Sequence, residues 1–137
     1  MSEDTVELVR RAYELFNSEA FNRTEELDPS LFDPEVEIDR SSSVLDGAVY
    51  RGHAGLRDLV SLLREMWKRQ RIEPQEFIPV GDDRVVVASR IVSVGREEIE
   101  TVAHAATVWT VKQGRIARVV FFQSKDEALE AAGVTPA

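Results

Sequence analysis

The sequence predicts an α+β fold: a mostly antiparallel sheet wrapped on one face by N-terminal helices. Two observations predict it. Helix-period patterns occupy the first half of the chain, and consecutive β-type runs occupy the second. In addition, Glu100–Val111 and Arg115–Gln123 form two long runs around a short Lys112-Gln113-Gly114 turn, and a capped helix, Ser124–Ala132, follows at once. A long hairpin closed by a helix, on a sheet with helices against one face, encloses a space. What fills that space decides function.

Each element has its own signal. Asp4 followed by Glu7 is a capping-box-like start. Val6, Val9, Tyr13 and Phe16 recur at helical spacing, so 5–18 reads as an amphipathic helix that Asn17-Ser18 weakens at its end. Asp28-Pro29 reads as an N-cap with proline in the first turn, predicting a short helix over 29–33 that buries Leu31 and Phe32. Val36–Arg40 alternates as a strand. Ser41–Gly52 reads as a flexible loop with Val44, Leu45, Val49 and Tyr50 as anchors, and a loop of that length often shapes a site. A second main helix is expected over 54–70, with Leu56, Leu59, Val60, Leu63 and Trp67 on its inner stripe. Pro74 and Pro79 bracket an edge strand, Gln75–Val80. Gly81-Asp82-Asp83 is a turn, and Arg84–Val94 is a β-branched strand ending at Gly95. Ser124 with Glu127 repeats the capping box, and Gly133 stands at the helix C′ position. With no repeat or linker, residues 1–137 read as one domain.

Composition removes several function classes. The 137 residues carry 17 Lys plus Arg against 25 Asp plus Glu, a net charge of −8. A nucleic-acid partner needs a basic footprint, and an anionic membrane needs the same. The cluster Arg64, Lys68, Arg69 and Arg71 reads as the solvated end of a helix. No apolar run approaches the roughly 20 residues of a membrane span. The acidic start, Ser2-Glu3-Asp4, carries no signal-peptide pattern, and the absence of cysteine excludes disulfides. A cytoplasmic location is the expectation. His53 and His104 are isolated, so no metal site is expected. The glycines form no phosphate loop, and no cofactor is expected.

Five segments stand out in order: Arg11-Ala12-Tyr13-Glu14-Leu15-Phe16-Asn17, Asp33-Pro34-Glu35-Val36-Glu37, Tyr50-Arg51-Gly52-His53-Ala54-Gly55-Leu56, Val108-Trp109-Thr110-Val111-Lys112-Gln113-Gly114-Arg115-Ile116 and Glu127-Ala128-Leu129-Glu130-Ala131-Ala132-Gly133. Through these segments the chain resembles the SnoaL-like branch of the nuclear transport factor 2-like superfamily. Together these span nearly the whole chain. The resemblance implies a cone-like curved sheet, the ketosteroid isomerase-like or cystatin-like α+β roll. It implies a small-molecule pocket but no single reaction, because such folds host isomerases, cyclases, hydrolases, dehydratases and binding modules.

Position by position, the resemblance narrows the chemistry. An isomerase-like site needs a carboxylate base at the end of the first strand, plus a hydroxyl and a protonated acid for the oxyanion. The base position falls at Arg40 with Asp39 beside it, and the acid position falls near Thr107. Tyr13 lies about one position from where the tyrosine is expected. The isomerase triad is therefore incomplete. A cyclase-like Asp/His pair would draw on Asp39, His53 and His104. An epoxide hydrolase-like set would draw on Asp39, Arg40 and Arg90, but Ala103, Ala105 and Thr107 supply no second acid. Asp39 is the candidate proton-handling residue and Arg40 its electrostatic partner.

The candidate ligand contacts are Tyr13, Phe16, Trp67, Arg90, Thr107, Trp109 and Phe121. Aromatics at these spacings also suit plain packing. Small residues at Ala103, Ala105 and Thr107 beside large aromatics favour an open apolar pocket. Arg90 interrupts a β-branched strand, where a buried charge needs a partner. It is either paired to an acid on the outer or dimer face, or a clamp for an anion or carbonyl inside. Alternation points Ala105, Thr107, Trp109 and Phe121 inward and His104, Val108, Arg118 and Phe122 outward. Ile91, Val108, Val120 and Phe122 add apolar area across the two faces, more than one layer of helices covers, so a homodimer through the outer sheet face is expected. The expected function is a SnoaL-like pocket that binds or transforms a small apolar or carbonyl-bearing metabolite. The alternative is a non-catalytic binding or dimerisation module.

Overall fold

The computed structural model describes residues 2–17, 30–42 and 48–134. Its elements run α1 (Ser2–Phe16), β1 (Phe32–Asp39), β2 (Val49–Arg51), α2 (Gly52–Met66), β3 (Arg69–Val80), β4 (Arg84–Val94), β5 (Glu100–Lys112), β6 (Arg115–Phe122) and α3 (Lys125–Ala131). The strands form one six-stranded sheet in the order β2-β1-β6-β5-β4-β3. Only the β1–β6 pair is parallel; the others are antiparallel. The α+β class expected from the sequence is therefore what the chain adopts.

α1 buries Val9, Ala12 and Tyr13 along one stripe, as its period demands. Both ends are tied to the sheet. The Thr5 hydroxyl donates to the Asp82 carbonyl at 2.6 Å. Asn17 imitates a strand neighbour: its Nδ2 donates to the Ile72 carbonyl at 2.7 Å and its Oδ1 accepts from the Ile72 amide at 3.0 Å. The residue that weakens the helix thus fastens it to the edge strand β3.

The expected short helix over 29–33 is replaced, at 30–31, by a turn, and β1 begins at Phe32; residue 29 lies outside the described residues. Long-range pairing overrides the local capping signal. The Ile116 amide donates to the Leu31 carbonyl at 2.8 Å, and Phe32 stands opposite Ile116. Leu31 and Phe32 are buried as expected. A register shift between Phe32 and Glu37 absorbs Pro34. The expected loop Ser41–Gly52 holds β2, which pairs with β1; its anchors Val44 and Leu45 lie outside the described residues.

α2 starts at Gly52 and stops at Met66, short of the expected residue 70. Trp67 is extended, and the Lys68 amide already bonds the Val94 carbonyl at 2.8 Å. Strand pairing from Arg69 onward wins over helix propensity, so β3 runs through both prolines. Edge strands tolerate this, because a missing N–H can face solvent. Lys68, Arg69 and Arg71 therefore lie on or beside a strand, where Glu98 pairs with Lys68 and Arg69. At the start of α2, Gly52 has φ +71°, and a Cβ there would stand 3.3 Å from the Pro34 carbonyl oxygen. Gly52→Ala is expected to cost about 1–2 kcal/mol from left-handed strain alone. Urea unfolding measures it, and an unchanged midpoint would contradict the geometry.

The sheet separates two apolar clusters. On the inner face, α1 and α2 cover Val36, Ile38, Val85, Val87, Trp109, Ile116 and Val119. On the outer face, Ala128, Leu129 and Ala132 of the α3 segment cover Val86, Ala106 and Val108, with Phe122 packed alongside. The Ser124 Oγ caps α3 by accepting from the Glu127 amide at 3.2 Å. The helices therefore occupy both faces, not one. Val108 and Phe122, read as facing a partner subunit, do point outward, but α3 covers them. Ile91 borders the inner cavity.

Candidate functional site

Between α1, α2 and the inner sheet face lies a cavity of about 530 Å³, within the range of small-molecule sites. The small residues Ala103 and Ala105 hollow out β5, while Trp67, Phe16 and Phe121 supply large apolar walls. Alternation on β5 puts Ala103, Ala105, Thr107 and Trp109 on one face, so a single strand provides both the space and its polar end.

That polar end is a three-residue cluster. The Trp109 Nε1–H donates to Thr107 Oγ1 at 2.7 Å and to the Tyr13 hydroxyl oxygen at 3.2 Å. The Tyr13 and Thr107 hydroxyls lie 3.0 Å apart and share one hydrogen bond. The Tyr13 ring meets Trp109 at 5.2 Å and stands edge-on to Phe77 at 6.2 Å. Burial raises the Tyr13 phenol above its ordinary pKa, with the hydrogen bonds to Thr107 and Trp109 and the nearby Ser89 hydroxyl pulling the other way. At neutral pH it is an uncharged hydroxyl held in place by packing. Ser89 stands close enough to influence that phenol, yet no hydrogen bond of good geometry reaches its Oγ.

The structure brings most of the anticipated ligand contacts together. Tyr13, Phe16, Trp67, Thr107, Trp109 and Phe121 all line the cavity, and so does Arg40. Two do not. Arg90 lies on the outer face, where its Nη1 pairs with Glu73 at 2.8 Å, the acid-paired option of the two. Asp39 sits outside the lining, because alternation on β1 turns it away from Ile38 and Arg40. Its Oδ1 accepts from the Ser41 amide at 2.9 Å and the Ser41 hydroxyl at 2.6 Å. These bonds to Ser41, helped by Arg118 and Arg51, hold its carboxyl below the usual pKa. That is the opposite of the raised value a proton-abstracting carboxylate needs.

A depressed folded-state pKa means that Asp39 stabilises the fold above the ordinary carboxylate pKa, and that this contribution disappears as pH falls through the lower folded value. Asp39→Asn should therefore flatten part of the acid limb of stability against pH. An unchanged limb would show that the Ser41 bonds do not hold in solution.

His53 fastens α2 to β1, its Nε2 lying 3.0 Å from the Phe32 carbonyl oxygen. His104 is exposed, stands opposite Arg90 in register, and borders the cavity. Among the described residues, no three His, Cys, Asp or Glu side chains gather as metal ligands, and no carboxylate lines the cavity. No helix among them is long and apolar enough to cross a membrane.

Ser89, Ser93 and Gln70 are lining residues that sequence reasoning missed. The Gln70 amide donates to Ser93 Oγ at 3.1 Å. A signal was present: Ser89 and Ser93 are small polar interruptions on one face of a β-branched strand. Gln70 carried none, because it was read as helical.

A family model for the SnoaL-like domain matches residues 9–119. No curated protein matches the sequence. Among solved structures, TerC co-crystallised with polyporic acid is 21% identical, covering 95% of this chain and 98% of that chain at a TM-score of 0.72. A ketosteroid isomerase-like-fold protein from Catenulispora acidiphila, in complex with trimethylamine, is 14% identical over 95% of each chain at 0.72. A proposed polyketide cyclase from Xanthomonas campestris is 15% identical, covering 96% of this chain and 98% of that one at 0.71. At such identities the likeness carries the fold alone.

Proposed function

This chain belongs to the SnoaL-like domain family, and from that premise we propose that its cavity binds a small, mostly apolar metabolite whose carbonyl or hydroxyl oxygen meets the Tyr13–Thr107 hydroxyl pair. The observation that carries the reading is the combination of a largely apolar 530 Å³ cavity with one fixed polar cluster at its wall. The apolar body supplies affinity, and the hydroxyls fix orientation. Ser89 Oγ and Trp67 Nε1 support it, since both are buried with no hydrogen-bond partner among the described residues, and a ligand oxygen or bound water would satisfy them.

Binding is favoured over isomerase-type proton abstraction. Among the described residues the lining offers no carboxylate base, and Asp39 is turned away with a depressed pKa. A neutral phenol and a threonine hydroxyl can hold a carbonyl oxygen, but neither takes a carbon-bound proton at neutral pH.

The chain's only two tryptophans, Trp67 and Trp109, both line the cavity, so intrinsic fluorescence reports occupancy directly. A screen of apolar ketones, lactones and epoxides, beginning with 2-decalone, is expected to give saturable changes in emission. Asp39→Asn should bind the same probes with unchanged affinity. Flat titrations across the whole screen would sink the proposal, and loss of binding in Asp39→Asn would return that carboxylate to the site.

The second reading is an assembly module that pairs through the outer sheet face. Val102, which is 45% exposed, and its register partner Val92 favour it, lying on the outer face beyond α3. Sedimentation of wild type against Val102→Glu tests it: a monomer in both rejects the dimer.

A further inference from the structure

We propose that the cavity holds a second polar subsite, the row Gln70–Ser93–Thr101, and that its ligand is an elongated molecule with an oxygen at each end and a neutral hydroxyl at this one. The proposal rests on the binding function above and adds the far end of the ligand.

Strand register builds the row. Gln70 stands opposite Ser93 across β3–β4, and Ser93 stands opposite Thr101 across β4–β5. All three line the cavity. The next row on the same face, two residues along each strand, is Ile72, Ile91 and Ala103, which line it too and are wholly apolar. Two residues further along β4, Ser89 stands beside the Tyr13 phenol. Along this wall the cavity is therefore polar, apolar and polar again. Ser93 and Ser89 are four residues apart, about 13 Å at the usual strand rise. Allowing a hydrogen bond of about 2.8 Å at either end, ligand oxygens roughly 7–13 Å apart reach both groups.

The far end has hydrogen-bonding capacity to spare. Gln70 Nε2 donates to Ser93 Oγ at 3.1 Å, and among the described residues neither side chain makes another hydrogen bond. That bond uses one of the two amide protons of Gln70 and leaves its carbonyl oxygen, while Ser93 accepts and keeps its own proton. The pair offers an acceptor and a donor side by side, and a hydroxyl is the group that uses both at once. The row contains no charged side chain, so a carboxylate or ammonium would lose hydration there without a counter-charge in the row. Trp67 adjoins this end, since the next residue, Lys68, bonds the Val94 carbonyl beside Ser93. Its Nε1–H is buried with no partner among the described residues, and a donor of that kind calls for an acceptor oxygen.

The test compares 4,4′-dihydroxybiphenyl with 4-hydroxybiphenyl, one rigid body carrying a hydroxyl at both ends or at one. Calorimetric titration of the full chain is expected to show the diol binding about tenfold more tightly, the gain of one net hydrogen bond. Ser93→Ala and Gln70→Met should each reduce that preference. The double variant should remove it while leaving 4-hydroxybiphenyl within about twofold of its wild-type affinity, because the second hydroxyl then lies buried without a partner. Equal affinity of the two probes for wild type overturns the second subsite while the pocket stands. So does a preference that survives in the double variant, or an equal loss for both probes. Binding of neither probe to wild type overturns both this proposal and the binding function. Circular dichroism shows which variants are folded. Should the double variant not fold, Ser93→Ala alone decides, and an unchanged preference there overturns the subsite.

Discussion

Trp109→Ala is expected to destabilise the protein by about 3–5 kcal/mol, the range for deleting a large buried aromatic. The indole is 9% exposed and sits within the inner core cluster. Its ring packs against Tyr13, and its N–H is shared between the Thr107 and Tyr13 hydroxyls. Truncation removes the packing and one donor from a buried polar cluster, so two costs add. One side of the residue borders the cavity and already lacks neighbours, which places the expected loss toward the lower end. Trp109→Phe separates the terms: it keeps most of the packing and should lose about 1 kcal/mol for the hydrogen bonds. Equilibrium urea unfolding measures both. A loss below about 1 kcal/mol for the alanine variant would mean that the Tyr13–Thr107–Trp109 cluster is not formed in solution.

Ala105→Phe is expected to eliminate binding of ring-sized ligands while leaving the fold nearly as stable as before. Ala105 is 8% exposed, lies on the inner face of β5 opposite Ser89, and lines the cavity. In a filled core an added phenyl group would cost about 1–3 kcal/mol in strain. Here it enters about 530 Å³ of open space, makes new apolar contacts and occupies the volume a ligand would need. Ligand affinity should fall at least tenfold, about 1.4 kcal/mol, with a melting temperature within a few degrees of wild type. A steep fall in stability would show that the walls close up in solution. Unaltered binding would place the ligand elsewhere.

Much of the fold was legible because the chain's periodicities are long and unambiguous. The β4 bounds Arg84–Val94 match the sequence expectation, as does the Ser124 cap of the last helix. The errors share one physical cause. Phe32 and Arg69-Gln70-Arg71 carried helical signals, yet they form strands, since each has a neighbour waiting in the sheet: Ile116 for Phe32 and Val92–Val94 for the second group. A local capping signal is worth about 1 kcal/mol, and a strand's pairing and burial together exceed it.

The same contrast holds in the site. Tyr13, Trp67, Thr107, Trp109 and Phe121 could be named from residue type and alternation, because wall residues of a sheet-and-helix cavity recur at predictable spacings. The direction of Asp39 and Arg40 could not. The two are adjacent on one strand, so one must face inward and the other outward, and a shift of one residue exchanges them. The sequence by itself determined the α+β class, the family and the aromatic and small-residue character of the inner wall, since those follow from periodicity and residue volume. Only the tertiary structure decided that Arg40 and not Asp39 faces the cavity, that Arg90 is taken by Glu73, and that α3 covers part of the outer face. Those outcomes depend on strand register and on partners distant in sequence, which no local pattern encodes.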